Sequence, residues 1–176
     1  MTPYYDQDGI QIWLGDCRAI LPTLSGIDCV VTDPPYGIDL KEGYNAGKPR
    51  SNYLHKGSYG VYEDTLDNLR EVVVVAIVAS LAASKRGLVF CTQNRIREFP
   101  EPTALGAVYL PSGCGRTKWG FNNLAVCLLY GVSPTIGNGC SHTVLKSNAT
   151  VEANGHPCPK PLTWMRWAVN MASTIE

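Results

Sequence analysis

The chain has 176 residues, 45% apolar and 17% charged, which suffices for a domain with its own core and excludes a disordered tail. Fifteen Lys plus Arg balance fifteen Asp plus Glu, so attraction to a polyanion cannot be read from the net charge. The charge is unevenly spread: ten basic against thirteen acidic residues over 1–101, a balance of −3, and five against two over 102–176, a balance of +3.

In chain order, Ile10 to Leu14 alternates as a period-two strand and stops at Gly15-Asp16. Cys17 to Leu24 suits a short helix with Ala19, Ile20 and Leu24 on one side, limited by Pro22. Ile27 to Thr32 is a β-branched run of the kind buried on both faces, and Asp33-Pro34-Pro35-Tyr36 ends it. From Gly37 to Asp64 there is no periodicity; five glycines separate Lys41, Lys48, Arg50 and Lys56, which are interleaved with tyrosines. Such a length predicts a mobile loop, either closing over a ligand or simply lying disordered on the surface. Thr65 is a helix cap, the spacing Leu66, Leu69, Val73, Ile77 predicts a buried helix to about Ser84, and Gly87 stops it. Gly87 to Cys91 is the next strand, Ala107 to Leu110 a weaker one and Leu124 to Tyr130 a strong one. Gly131 to Gly155 reads as loop, and Pro161 to Ala172 as a closing helix with Leu162, Trp164, Met165 and Ala168 available for packing. Strands alternating with helices predict an α/β domain with a mostly parallel sheet.

Seven cysteines are an odd number and three lie in apolar runs, which argues against a disulfide framework. The start MTPYYDQDG has neither the basic nor the apolar region of a signal peptide, and the longest apolar stretch, Val72 to Ala83, falls short of the ~20 residues that span a bilayer. The expectation is a soluble protein of the reducing cytoplasm, without membrane partners. Cys114, Cys140, His142, His156 and Cys158 lack the paired spacing of a zinc site, so no metal is expected.

The sharpest chemical signal is Thr32-Asp33-Pro34-Pro35-Tyr36-Gly37, placed where a strand meets its carboxyl-end loop, the position at which open α/β sheets bind ligands. An exocyclic aromatic amine is a weak nucleophile because its lone pair is delocalised into the ring. Acceptance of its N–H groups by the Asp33 carboxylate and the Pro34 carbonyl would bias the nitrogen toward an attacking, tetrahedral geometry. The prolines stiffen the backbone and bring no competing N–H, and Tyr36 would stack on a base extruded from the duplex. The alternative is a plain strand-to-loop turn, with Asp33 capping nearby amides and Tyr36 packing.

These residues resemble the amino-methylating DNA methyltransferases, whose (D/N/S)PP(Y/F/W) motif is matched by Asp33 to Tyr36. Three further segments agree with the beta-type order of that family: Gly15-Asp16-Cys17 followed by Leu21 and Leu24, Gly87-Leu88-Val89-Phe90, and His156-Pro157-Cys158-Pro159-Lys160-Pro161, which is similar to HPTQKP. The resemblance implies a Rossmann-like fold, S-adenosylmethionine as cofactor and methyl transfer to adenine N6 or cytosine N4, with Asp in the first motif position favouring adenine. It implies that Asp33, Pro34, Pro35 and Tyr36 hold the target base, with Asp33 also near the methionine end of the cofactor. Asp16 and Cys17 then lie by its adenine, and His156 and Lys160 by its methionine end. The last element equally suits a proline-stiffened turn into the closing helix.

One departure stands out. The family's FxGxG cofactor loop should follow the closing helix, and the chain stops at Glu176; Gly113-Cys114-Gly115 is a poor substitute, since no Asp or Glu lies between Glu101 and Glu152 to hold a ribose. The expectation is therefore one domain over 1–176 with an incomplete methyltransferase fold and an open sheet edge. Either it is an enzyme, of a restriction–modification or phage type, or it is an inactive or partner-dependent DNA-binding remnant, with a homodimer or a complementing polypeptide as partner. Lys41, Lys48, Arg50 and Lys56 of the loop, and Arg116 and Lys118 of a target-recognition segment over 102–155, are the expected DNA contacts, or else solvated loop charges. RNA as substrate would share the chemistry.

Overall fold

A computed structural model describes residues 2–38, 62–113, 115–134, 142–149 and 159–173. The Gly37–Asp64 segment with Lys41, Lys48, Arg50 and Lys56 falls largely outside these residues, as do His156, Cys114, Cys140 and Cys158.

Asp8-Gly9 turns the chain at its start, with both residues at positive φ (52° and 75°), the backbone that a two-residue hairpin turn demands. The turn joins β1 (Tyr5–Gln7) to β2 (Ile10–Ile12), which pair with each other and stand apart from the main sheet. The strand expected over Ile10 to Leu14 is thus shorter, and Leu14 is exposed. Asp16 caps the short helix α1 (Cys17–Ile20), and a 3₁₀ turn at Leu21–Thr23 absorbs Pro22.

The main sheet contains β3 (Ile27–Thr32), β4 (Ser84–Cys91), β5 (Ala104–Tyr109), β8 (Leu124–Tyr130) and β9 (Val144–Lys146), in the order β3-β4-β8-β5-β9. β3 pairs parallel with β4 and β5 with β9, while β8 is antiparallel to both of its neighbours. Four strands therefore share one direction and β8 alone is reversed, so the sheet is mostly parallel as expected. A hairpin, β6 (Gly115–Thr117) and β7 (Gly120–Asn122), forms part of the connection from β5 to β8. This segment, like β9, lies where no element was expected: three-residue strands leave too few positions for a period to show.

Thr65 accepts a hydrogen bond from the Asn68 amide (3.2 Å) and starts the long helical segment: α2 (Leu66–Asn68), a π-helical stretch (Leu69–Val74) and α3 (Val75–Ala82). Leu69, Val73 and Ile77 are buried on one side of it, against Val89, Cys91, Val126 and Leu128. The other sheet face packs Leu88, Phe90, Val108 and Cys127 against Trp164, Ala168 and Ala172 of α4 (Leu162–Ala172). Leu88/Phe90 and Val89/Cys91 point to opposite faces of β4, the period-two signature of a strand covered on both sides in an α/β/α sandwich. Leu162 is exposed, contrary to the packing role expected of it. Gly87 lies inside β4, which begins three residues earlier than expected; a Cβ there would come 2.5 Å from Leu81 Cδ2, so the glycine serves helix–sheet packing and not helix termination. β3 is half-buried, not buried on both faces, because among the described strands it pairs only with β4. No helix of the described residues is long and apolar enough to cross a membrane.

Burial pushes the Cys91 thiol up to about 12, and burial, then the neighbouring Cys91, does the same for Cys127. Both protons are held more tightly in the folded state than at the ordinary thiol value of 9.0, so their stabilisation is full below that pH and is lost as pH rises toward about 12. Iodoacetamide labelling followed by peptide mapping at pH 8 should modify exposed Cys17 and spare Cys91 and Cys127 until the protein is unfolded. Equal modification of all three would contradict this core.

Candidate active site at the carboxyl end of the sheet

β3 delivers Asp33 to the sheet's carboxyl end, where its carboxylate is held from both sides. Tyr36 Oη donates to Oδ1 at 2.5 Å, and Lys160 Nζ forms an ion pair with Oδ2 at 2.7 Å. The Asp33 and Lys160 side chains are only 19% and 12% exposed, so water screens this pair far less than a surface one. Lys160 Nζ also stands 5.4 Å from the centre of the Tyr36 ring, within cation–π range. The motif and the turn before α4, distant in sequence, thus form one cluster: Asp33, Tyr36 and Lys160. Pro34 and Pro35 lie half-buried between them and contribute no N–H.

Asp33 does not cap the turn that follows it. That task falls to Asp64, a buried carboxylate that accepts from the Gly37 amide (2.7 Å) and the Ile38 amide (3.3 Å). Arg95, in the 3₁₀ helix Gln93–Glu98, donates to the Gly37 carbonyl through Nη2 (2.8 Å) and Nε (3.3 Å). Gly37 has φ +64°, and a Cβ there would lie 2.9 Å from Leu69 Cβ and 3.0 Å from the Thr65 carbonyl oxygen. Only glycine lets the chain pass so close to the start of the long helix. With Asp64 and Arg95 doing the capping, both oxygens of Asp33 remain directed at Tyr36 and Lys160. Asp64 could have been sought in the sequence, since it directly precedes the Thr65 helix cap; Arg95 gives no such signal, because its partner is a backbone carbonyl brought near by the fold.

Asp16 and Cys17 are in a different place. They line a hollow of about 500 Å³ with Gly15, Arg18, Tyr62, Glu63, Asn68 and Val72, and none of Asp33, Tyr36 or Lys160 borders it. Asp16 is already engaged: it accepts from the Arg18 amide (2.9 Å) and pairs with the Arg18 guanidinium (2.6 Å), which together hold its carboxyl down at about 2. The open carboxylate at this hollow is Glu63, one residue before Asp64, a residue the motif reading did not select. Lys118 is exposed in the two-residue turn between β6 and β7, and Arg116 is in β6. Gly113 precedes that hairpin rather than a helix, so Gly113-Cys114-Gly115 is not a strand–loop–helix phosphate cradle.

Asp64→Asn replaces one acceptor oxygen by an NH₂ facing a backbone donor, and should cost about 1–3 kcal/mol in urea unfolding. Gly37→Ala should cost at least as much, since it combines a strained φ with two close contacts. Unchanged midpoints for both variants would contradict the clamp.

No protein-family model matches the chain, and no curated protein matches it. Among solved structures, the fold is similar to that in the crystal structure of the M1.HpyAVI–SAM complex, with a TM-score of 0.53 and 15% identity over 93% of this chain and 78% of that one. At that identity the likeness is one of fold: the α/β fold of this chain is similar to that of a protein solved with SAM bound.

Proposed function

We propose that this chain is a DNA methyltransferase domain that transfers a methyl group from S-adenosylmethionine to the exocyclic amine, adenine N6 or cytosine N4, of a base flipped out of the duplex. The observation that carries the reading is the Asp33 carboxylate at the end of β3, held by Tyr36 and Lys160, in a fold shared with a SAM-bound protein.

The chain's residues fit the cofactor in two parts. The hollow at Gly15–Arg18 has a volume typical of small-molecule sites and offers a carboxylate, Glu63, to sugar hydroxyls and an aromatic wall, Tyr62, to a purine. Asp33 offers negative charge to the methionine end, with Lys160 beside it to meet a carboxylate. When bound, S-adenosylmethionine would supply an electrophilic methyl group: the carbon–nitrogen bond would form as the carbon–sulfur bond breaks, the thioether would leave, and the surplus N–H proton would pass to solvent. A carboxylate has about four acceptor positions, and Tyr36 and Lys160 use two, so Asp33 keeps capacity for the N–H of an incoming amine. Lys160 and Tyr36 together fix the rotation of the carboxylate, so the acceptor is oriented before the base arrives. The Tyr36 ring would stack on that base and Lys118 and Arg116 would meet phosphates; the resemblance of the Asp33 motif to the amino-methylating family favours adenine.

A second reading is favoured by one observation: among the described strands β3 has an unpaired edge. A strand from another polypeptide could complete the sheet there, making this chain a partner-dependent or inactive DNA-binding half.

Calorimetry with S-adenosylmethionine and transfer of a labelled methyl group to DNA test the first reading. Asp33→Ala should lower the transfer rate by about 10²-fold or more, and Tyr36→Phe by less, since it keeps the ring and loses only the hydroxyl bond to Asp33. Cys17→Trp, which fills the hollow, should weaken cofactor binding while leaving the thermal midpoint within a few degrees. No binding heat at millimolar cofactor would sink independent catalysis, and restoration of methyl transfer by an added polypeptide would establish the half-enzyme reading.

A further inference from the structure

The β6–β7 hairpin stands on the same rim as the motif. β5 ends at Tyr109, which pairs with Leu124 at the start of β8, and Val126 of β8 pairs with Cys91 at the carboxyl end of β4. Thr32, the last residue of β3, pairs with Val89 of the same strand. The connection from Leu110 to Asn123 therefore leaves and rejoins the sheet at the end where Asp33 is displayed.

The connection is fastened at its base. The Leu110 amide donates to the Asn123 carbonyl (2.8 Å), Asn123 Nδ2 to the Leu110 carbonyl (2.8 Å), and Gln93 Nε2 to Asn122 Oδ1 (2.8 Å). Gln93 opens the same 3₁₀ helix whose Arg95 holds the Gly37 carbonyl, so hairpin and motif turn are tied to one short element. At the tip, Thr117 pairs with Gly120 and leaves a two-residue turn, Lys118-Trp119. Trp119 is 100% exposed and Phe121 67% exposed. The hairpin, fastened at its base, carries this indole exposed at its tip, an apolar surface of the kind that marks an interaction site. The chain around it carries Arg116 and Lys118, with no Asp or Glu from Pro102 to Val151. An exposed aromatic side chain next to Lys118, in a stretch of sequence free of acids, is complementary to stacked bases between phosphates.

We propose that Trp119 is a wedge that enters duplex DNA beside the nucleotide whose base is drawn to Asp33 and stacks in the space that base leaves, while Lys118 meets an adjacent phosphate. The inference rests on the reading of the site as acting on a flipped-out DNA base. An apolar wedge lowers the cost of unstacking by replacing the lost base contacts with its own.

The test is anisotropy of a fluorescein-labelled duplex, intact or with one abasic position, titrated with the full chain and with Trp119→Ala, Trp119→Phe and Lys118→Ala. Circular dichroism checks that each variant is folded, as expected for substitutions at an exposed turn. The wild type should prefer the abasic duplex by about tenfold, Trp119→Ala should lose that preference and Trp119→Phe should keep most of it. Lys118→Ala should lower the slope of log K against log salt by about one, and Trp119→Ala should leave that slope unchanged. The proposal is overturned if Trp119→Ala binds both duplexes as the wild type does, if the wild type binds neither, or if sedimentation shows Trp119 holding two copies of the chain together. Trp119-dependent DNA binding without cofactor binding or methyl transfer would sink the reading of the site and leave the wedge standing. Methyl transfer indifferent to Trp119, with no change in duplex binding, would do the reverse.

Discussion

The ion pair between Asp33 and Lys160 is the contact on which the arrangement of this molecule turns. It joins the end of the first sheet strand to the residue just before Pro161 and α4, and so fixes how the closing helix meets the motif. Both groups are mostly withdrawn from bulk water, and a charge left alone there would carry a desolvation penalty with little to offset it. Each therefore constrains the other. The Tyr36 hydroxyl completes the set by donating to the remaining Asp33 oxygen, while its ring lies near the ammonium. Pre-orientation of this kind makes a carboxylate useful in catalysis, because the cost of ordering it is met during folding rather than at the moment of reaction.

Around this cluster the fold divides its labour. Two apolar layers, one under the long helical segment and one under α4, hold β4 and β8 rigid in the middle of the sheet. Asp64 and Arg95 then take over the backbone groups of the turn after the motif, so that the motif's own polar atoms need not. The Trp164 indole donates to Ser147 (3.0 Å), and the Ser147 amide to the Tyr109 carbonyl (3.0 Å), which ties α4 to the far side of the sheet. The site thus rests on regular elements at its base and is shaped by short turns at its rim.

The residues that were legible in the sequence are those whose neighbours are local. The β3 run and its proline stop, the Thr65 cap, the Leu69-Val73-Ile77 face, β8 and α4 all announce themselves through periodicity or capping chemistry within a few positions. The three-residue strands were not legible, because pairing over so short a span is decided by the partner. The reversed direction of β8 was hidden too, since a buried run of Leu, Val and Cys reads alike in either direction. Within the site, Asp33, Tyr36 and Lys160 were each selected from motifs, but their convergence was not visible. Glu63 and Arg95 are ordinary polar residues in ordinary local surroundings, and Asp64 is marked only by its place before the Thr65 cap.

By itself the sequence determined the α/β class, the strand that ends at Asp33 and the chemical types gathered in the motif, because these follow from side-chain period, proline geometry and the fixed donor and acceptor inventory of each residue. Only the tertiary structure decided that Asp33 is held by Lys160, and that Asp64 rather than Asp33 caps the turn. It also put the Trp119 hairpin on the motif's rim. Which carboxylate finds which cation depends on chain segments far apart in sequence being brought within about 3 Å, a distance set by the packing of both sheet faces and by no local pattern.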